Sequence, residues 1–351
     1  MTNITTIGID IAKNYIQIHG ATEKGKTLLK KRLAREKLLP FMANLSSCLV
    51  GMEACSGAHY WARELTKLGF DVRVMSPQKV KKYLDGHMKN DERDAAACAE
   101  AVSRDSMRFV SIKTIEQTNI QSMHRIRSFY IRQRTALMNM IRGLLLEHGI
   151  AINKSESALI KKLNELLDAD HERLDEENKL CFQHLYNDLK KLDSRINEQT
   201  QKLKTLAKQD ELCQRLQTIE GIGTITATAL IAKIGNGTDF KNGRELSAYL
   251  GLVPRQHSSG DTQRLLSITK HGDRYIRELL VHGGRAVVQA AKRTHKITGQ
   301  FVKQDPHSQW VRKLSERLGT NKTSVAIANK NARMVIALLK NRTTFDATLA
   351  H

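Results

Sequence analysis

Aromatic side chains make up only 5% of the 351 residues, prolines number four and cysteines five, and acids are outnumbered by bases, 36 to 57. No stretch reaches the roughly 18 consecutive apolar residues of a membrane-spanning helix. The opening Met1-Thr2-Asn3-Ile4 runs directly into Thr5-Thr6-Ile7-Gly8-Ile9-Asp10 without the basic-then-apolar layout of a secretory signal, so the expected location is the cytoplasm, close to the nucleoid. Cys48, Cys55, Cys98, Cys181 and Cys213 are odd in number and widely spaced, with no Cys-x-x-Cys pair. That pattern argues against a disulfide framework or a closely grouped zinc site and predicts reduced core thiols. Few aromatics and the lack of a basic helix with a bulky apolar face argue against a lipid surface. Hydrophobic residues at 40% supply cores and argue against global disorder.

What remains is a formal charge of +21, which points to nucleic acid as the partner. The charge is uneven. Between Gly251 and Lys340 stand 17 Lys and Arg against five acids, over half of the whole excess. A second basic run, Arg125, Arg127, Arg132, Arg134 and Arg142 opposed only by Glu147, falls inside a helical pattern. One such run can be a solvated helix face; two with few compensating acids favour phosphate binding, because neutralising phosphates releases counterions.

The hydrophobic pattern divides the chain into three parts. Residues 1–113 alternate short apolar runs with helical ones: strands at Ile7–Asp10, Tyr15–His19, Cys48–Glu53 and Phe70–Met75, and a helix at Tyr60–Leu68 stopped by Gly69. This predicts an α/β domain. Residues 114–211 are helical, first to Gly149 with Met123, Ile126, Tyr130, Leu137, Met140, Ile141 and Leu144 spaced in threes and fours. From Leu174 to Leu206 the apolar positions Leu185, Leu189, Leu192, Ile196 and Leu203 suit a coiled coil or a long helical hairpin, within one chain or between two. The acid-rich Asp168–Glu177 between them reads as an exposed linker or helix start. Residues 212–351 read as all-α and Gly-punctuated. There Ile219-Glu220-Gly221-Ile222-Gly223 resembles a helix-hairpin-helix turn, whose Gly221 and Gly223 would offer backbone N–H groups to a phosphate; a plain packing turn is the alternative.

Four acids form the chemical signal. Asp10 and Glu53 each end an apolar strand, where a lone carboxylate is costly unless a partner or metal compensates it. Asp91 and Asp94 open a helix three residues apart and share a face. Helix-dipole acids and a turn cap are the plain alternatives for each one. Together the four predict a site for one or two hard divalent cations, Mg²⁺ with Mn²⁺ as a substitute, of the kind that stabilises attacking and leaving oxygens in phosphodiester chemistry.

Read together, Gly8-Ile9-Asp10-Ile11-Ala12-Lys13, Met52-Glu53-Ala54-Cys55-Ser56-Gly57 and Lys89-Asn90-Asp91-Glu92-Arg93-Asp94-Ala95 resemble the DEDD transposases of the insertion-sequence 110 family. The segments 219–223, 250–260 and 268–277 resemble that family's C-terminal domain, with wording closest to its 1111 group. The resemblance implies an RNase H/RuvC-like first domain with Asp10, Glu53, Asp91 and Asp94 as metal ligands, a coiled-coil insertion, and a C-terminal transposase domain with a serine nucleophile. By that match the nucleophile is Ser259, with Ser258 as the less favoured neighbour, in a Gly- and Ser-rich loop near His257 and flanked by the phosphate-binding candidates Arg255, Arg264, Lys270 and Arg274. Lys-Asn-Asp stands where the family has Lys-Thr-Asp, and Lys270-His271-Gly272 where it has Lys-Arg-Gly. The resemblance further implies site-specific DNA recombination and a structured guide RNA from the element's flank; the coiled-coil-like stretch Leu174–Leu206, with two duplexes to be held together, predicts a homodimer or homotetramer on donor and target DNA. Two other readings stay open: a Holliday-junction-resolvase-like metal endonuclease in which Ser259 is structural, and a non-catalytic nucleic-acid scaffold.

Overall fold

A computed structural model describes residues 3–84, 90–168, 174–259, 262–295 and 297–346. The chain divides into two compact units, Met1–Thr114 and Ile115–His351. No helix among the described residues is long and apolar enough to cross a membrane.

The first unit is a six-stranded mixed sheet. Strands β1 (Thr6–Ile11), β2 (Tyr15–Ala21) and β3 (Thr27–Ala34) form an antiparallel meander; a short helix α1 (Leu38–Met42) leads to β4 (Leu49–Glu53), which lies parallel to β1. Helix α2 (Ala58–Lys67) then carries the chain to the parallel β5 (Asp71–Met75). After α3 (Pro77–Val80) and α4 (Asp91–Val102), a two-residue β6 (Phe109–Val110) closes the order β3-β2-β1-β4-β5-β6. This mixed sheet is consistent with an RNase H-like domain.

Alternation assigns the two faces of the sheet. Ile7, Ile9, Ile16, Ile18, Val50 and Met52 pack with Trp61, Ala62 and Leu65 of α2, while Gly8, Asp10, Gly51 and Glu53 take the opposite face. There α4 lies almost on the backbone. A Cβ on Gly8 would overlap the Ala95 carbonyl oxygen and the Ala99 nitrogen, and one on Gly51 would stand 2.6 Å from Val102 Cβ and 2.7 Å from Cys98 O. Helix α4 meets the glycines with small side chains, since Ala95, Ala97, Cys98, Ala99 and Ala101 are all buried. Its start is fixed by Asn90, whose side chain accepts the Glu92 N–H at 3.1 Å. Lys89 lies outside the described residues.

The second unit is mostly helical. Helices α5 (Ile115–Glu147) and α7 (Glu176–Gln209) run antiparallel, joined through α6 (Glu156–Leu166). Arg127 Nε donates to Thr200 Oγ1 at 2.8 Å near one end of the pair, and His148 meets Phe182 edge-on near the other. The periodic stretch after Leu174 is therefore one arm of a hairpin within the chain, and Asp175 caps α7 by accepting the Asn178 N–H at 2.7 Å. The buried side of α5 carries His124, Met138, Ile141 and Leu145, whereas Ile126, Met140 and Leu144, expected in the apolar seam, are exposed. Helices α8 (Glu211–Gln217), α9 (Thr224–Ile234) and α10 (Gly243–Tyr249) follow. Next comes a β-hairpin, β7 (Pro254–Ser259) and β8 (Thr262–Ile268), then α11 (Arg274–Lys292) and α12 (Pro306–Asn341), which bends at Gly319. The hairpin corrects the all-α expectation for residues 212–351. Burial also corrects the thiols: Cys98 and Cys213 are core residues, Cys48 and Cys55 are half-buried, and Cys181 is exposed on α7.

His124 joins three helices of this unit. Its Nε2 is 3.0 Å from Thr228 Oγ1 on α9 and its Nδ1 is 3.0 Å from Tyr275 Oη on α11. Thr228 already donates its hydroxyl to the Thr224 carbonyl, so Nε2 carries the hydrogen and Nδ1 accepts from tyrosine. Burial, then the nearby Arg127 charge, holds His124 down at about 4 against an ordinary 6.5.

Two consequences are measurable. Gly8→Ala should lower the urea midpoint by the equivalent of about 3 kcal/mol, because neither the α4 backbone nor the sheet has room to yield. For His124 the unfolded chain binds the extra proton between pH 6.5 and 4, so its contribution is complete above 6.5 and is lost as the pH falls toward 4. That difference amounts to about 3 kcal/mol, and the stability of His124→Gln should lack this part of the acid-side slope.

Candidate functional site

The ladder between β1 and β4 ends at the pair Ile9 and Met52, so Asp10 and Glu53 follow side by side at the C-terminal ends of two parallel strands. That is the edge of an open α/β sheet where ligands collect. The first turn of α4 adds Asp91 and Asp94. One carboxylate oxygen each from Asp10, Asp91 and Asp94 lie within 4.8 Å of one another. Oxygens that share one divalent ion at about 2.0–2.6 Å lie at most about 5 Å apart, so the trio fits a hard cation. Glu53 lies outside this 4.8 Å trio but next to Asp10 on the neighbouring strand end. It borders the site: burial, followed by the charges of Glu53, Asp10 and Asp94, holds the Cys98 thiol well above its ordinary range. The Cys55 thiol is likewise pushed up by burial and then by Asp10. The negative field therefore centres on the strand ends.

Beside the trio opens a cavity of about 290 Å³ lined by Asp10, Ala12, Lys13, Asn14, Tyr15, Gln17, Arg32 and Asp91. Strand register builds it: Asp10 pairs with Gln17, and Gln17 with Arg32, in one row across β1, β2 and β3. The Arg32 guanidinium sits 4.2 Å from the centroid of the Tyr15 ring. Lys13, Asn14, Tyr15, Gln17 and Arg32 were not singled out by sequence. The available signals were the turn directly after Asp10 and the period-two alternation on β2.

In the second unit Ser259 ends β7 rather than lying in a loop, paired with Thr262 across the hairpin. His257, two residues back, pairs with Arg264, so both share the Ser259 face of this two-stranded ribbon. Residues 254–259 and 262–265 are exposed on both faces, and Gly260 lies outside the described residues. Ser258 points to the other face, where its hydroxyl receives Gln256 Nε2 at 2.7 Å. Arg255 donates to Ser267 Oγ at 3.1 Å. The hairpin base is braced by Arg277 Nη1, which donates to Leu250 O at 2.9 Å and His271 O at 2.8 Å. Gly251 and Gly272, both left-handed, leave no room there for a side chain. Lys270 is exposed with φ +58, and Arg274 pairs with Glu278 at 2.6 Å.

The α5 arginines divide by role. Arg127 is bonded to Thr200; Arg134 pairs with Glu156 and stands 3.0 Å from Asp193, an ion pair without hydrogen-bond alignment at Nε. Both hold α5 to its neighbours. Arg125 and Arg132, seven residues apart on one face, are exposed, and neither makes an ion pair among the described residues. In the glycine turn, Gly221 is left-handed and packs backbone to backbone with Gly283 of α11, while Gly223 caps α9 with open space beside it. Glu220 ties this turn to α12, receiving Lys303 and His307, and Asn331 Nδ2 donates to its carbonyl at 2.8 Å. Those three bonds were not legible from sequence.

Comparison with known proteins returns matches over nearly the whole chain. A transposase model of the DEDD type matches residues 7–150, and the model for "Transposase IS116/IS110/IS902 family" matches residues 213–298. A "Probable family 20 transposase" of Pseudomonas aeruginosa is 42% identical over 98% of this chain and 99% of its own length. The "Transposase for insertion sequence element IS1111A" of Coxiella burnetii is 41% identical over 98% of this chain and 92% of its own. The "Transposase for insertion sequence element IS1328" of Yersinia enterocolitica is 38% identical over 99% and 100%.

The two classes of arginine should separate in experiment. Arg125→Ala and Arg132→Ala should each reduce the slope of log affinity for DNA against log salt by about one, leaving the melting temperature unchanged. Arg134→Ala should instead cost about 1–2 kcal/mol of stability, since its half-exposed acidic partners are only partly screened.

Proposed function

Because the chain belongs to the IS116/IS110/IS902 family of transposases and is thereby a DNA transposase of a mobile element, we propose that it cuts and rejoins DNA through a serine ester with Mg²⁺ assistance. The observation that carries the metal part is the meeting of Asp10, Asp91 and Asp94 at the strand ends. The family implies divalent-metal dependence, and the donor set consists of hard oxygens that suit Mg²⁺ or Mn²⁺. A bound ion would polarise the scissile phosphate and offset charge building on its oxygens. Asp10, Asp91 and Asp94 would hold that ion, with Glu53 at the border of the site.

The exposed position of Ser259 at the end of β7 supports its role as nucleophile. Its Oγ forms a bond to phosphorus as the bond from phosphorus to one deoxyribose oxygen breaks. The serine proton leaves, with His257 on the same face as a base, and the departing oxygen takes up a proton. Arg264 and Arg255 would stabilise the charge on the phosphoryl oxygens. One phosphoester replaces another, so rejoining needs no nucleotide triphosphate. Arg125, Arg132, Lys270, Arg274 and the Gly223 N–H suit phosphate contacts along DNA, or along the structured guide RNA that the family resemblance implies. The exposed stripe Ile126, Phe129, Met140 and Leu144 on α5 supports assembly as a homodimer or homotetramer.

The test uses the full chain with DNA carrying its element ends. Asp10→Asn should lower strand cleavage roughly a thousandfold, the equivalent of several kcal/mol of lost electrostatic assistance, while the fold persists. Wild type should form a protein–DNA adduct that survives denaturation and maps to Ser259, and Ser259→Ala should not. An adduct and normal recombination in Ser259→Ala would replace this reading with resolvase-like hydrolysis.

A further inference from the structure

The cavity beside the acid trio poses a problem that the trio alone does not solve. Three clustered carboxylates repel a DNA strand, and one divalent ion leaves them with net negative charge. The adjoining wall carries the compensating cations, Lys13 and Arg32. Of the three consecutive bases on β3, Lys30 is taken by Glu92 at 2.6 Å and Lys31 lies over the Phe41 ring at 4.4 Å. Arg32, in register with Gln17 and Asp10, is the one that reaches this cavity.

We propose that this cavity is a nucleotide subsite, which seats one unpaired nucleotide of the DNA strand next to the scissile phosphate. This rests on the strand-cleavage reading above and goes beyond it by assigning Lys13, Asn14, Tyr15, Gln17 and Arg32. The Arg32 guanidinium over the Tyr15 ring gives the cavity a cationic and aromatic wall, the chemistry on which nucleobases stack. Tyr15 is 46% exposed, so its ring is open to a ligand. Asn14 and Gln17 add amide donors and acceptors for a base edge, and Lys13 and Arg32 attract the flanking phosphate. The side chains of Lys13, Asn14 and Gln17 make no hydrogen bond among the described residues, so their groups are available. About 290 Å³ suits a single nucleotide and is too small for a duplex. The turn that carries Lys13 and Asn14 is pre-formed: Ala12 N donates to Tyr15 O at 3.1 Å, and Arg35 Nη1 donates to Ala12 O at 2.8 Å.

The experiment uses the full chain assembled on its cleavable DNA, with 5-iodouracil placed in turn at the nucleotides flanking the cut bond. Crosslinking and affinity are measured in chelator, apart from cleavage. Irradiation should join one flanking position to Tyr15; Tyr15→Ala should lose the crosslink and weaken binding about tenfold, and Tyr15→Phe should restore the affinity. Arg32→Ala should weaken binding comparably. If no flanking position crosslinks to Tyr15 and Tyr15→Ala binds as wild type does, the subsite is wrong. Cleavage by Asp10→Asn, read separately, reports on the cleavage reading alone: its loss beside a failed crosslink leaves that reading standing without the subsite.

Discussion

The backbone of α4 lies against the sheet with nothing but glycine beneath it, and the chemistry of the first unit depends on that approach. Gly8 and Gly51 sit two residues before Asp10 and Glu53 on the same strands and the same face. The absence of a side chain at one position therefore decides where the acid at the next can be met. A helix held one side-chain layer higher would carry Asp91 and Asp94 away from Asp10. Alanines and Cys98 make the seat, Asn90 fixes the first turn, and the acids of that turn face the positive end of the helix dipole. The dipole offsets part of their repulsion, leaving the remainder for a cation to neutralise.

The same economy of position governs the cations. A net charge of +21 suggests a uniformly basic surface, yet several arginines are engaged in holding the fold together. Arg127 and Arg134 bind α5 to its neighbours, Arg277 braces the hairpin base, and Arg312 donates to Ala291 O and Lys303 O, both at 2.8 Å, from a buried position. Among the exposed bases, Arg125 shares a helix face with Arg132, and Arg264 shares a hairpin face with His257. A two-stranded ribbon exposed on both sides has little core of its own. Its braced base and exposed polar faces suit a strand pair completed by a bound partner.

Much of the first unit was legible because its signals are local. Ile7-Gly8-Ile9-Asp10 and the run ending at Glu53 announce strands that end in acids, and Gly69 marks the end of α2. Strand β3 lacks a clear alternating signal because the consecutive bases Lys30, Lys31 and Arg32 interrupt it; each finds a different neighbour only after the meander forms. The β7–β8 hairpin carries a sequence signal of its own, two strand-like segments separated by Gly260-Asp261, the spacing of a tight hairpin. On α5, threes and fours fit more than one stripe, and burial chose the one through His124, Ile141 and Leu145. The close grouping of Asp10, Asp91 and Asp94, the binding of Glu220 by Lys303 and His307, and the placing of Arg32 over the Tyr15 ring depend on distances that sequence spacing does not encode.

The central claim, that the approach of α4 to β1 assembles a divalent-cation site, is tested most directly by anomalous diffraction from crystals of the full chain grown with Mn²⁺. The account predicts a peak bonded at about 2.1–2.2 Å to oxygens of Asp10, Asp91 and Asp94, and no such peak in Gly8→Ala. A wild-type map without manganese at these three carboxylates, or with the ion bound elsewhere in the unit, would contradict it.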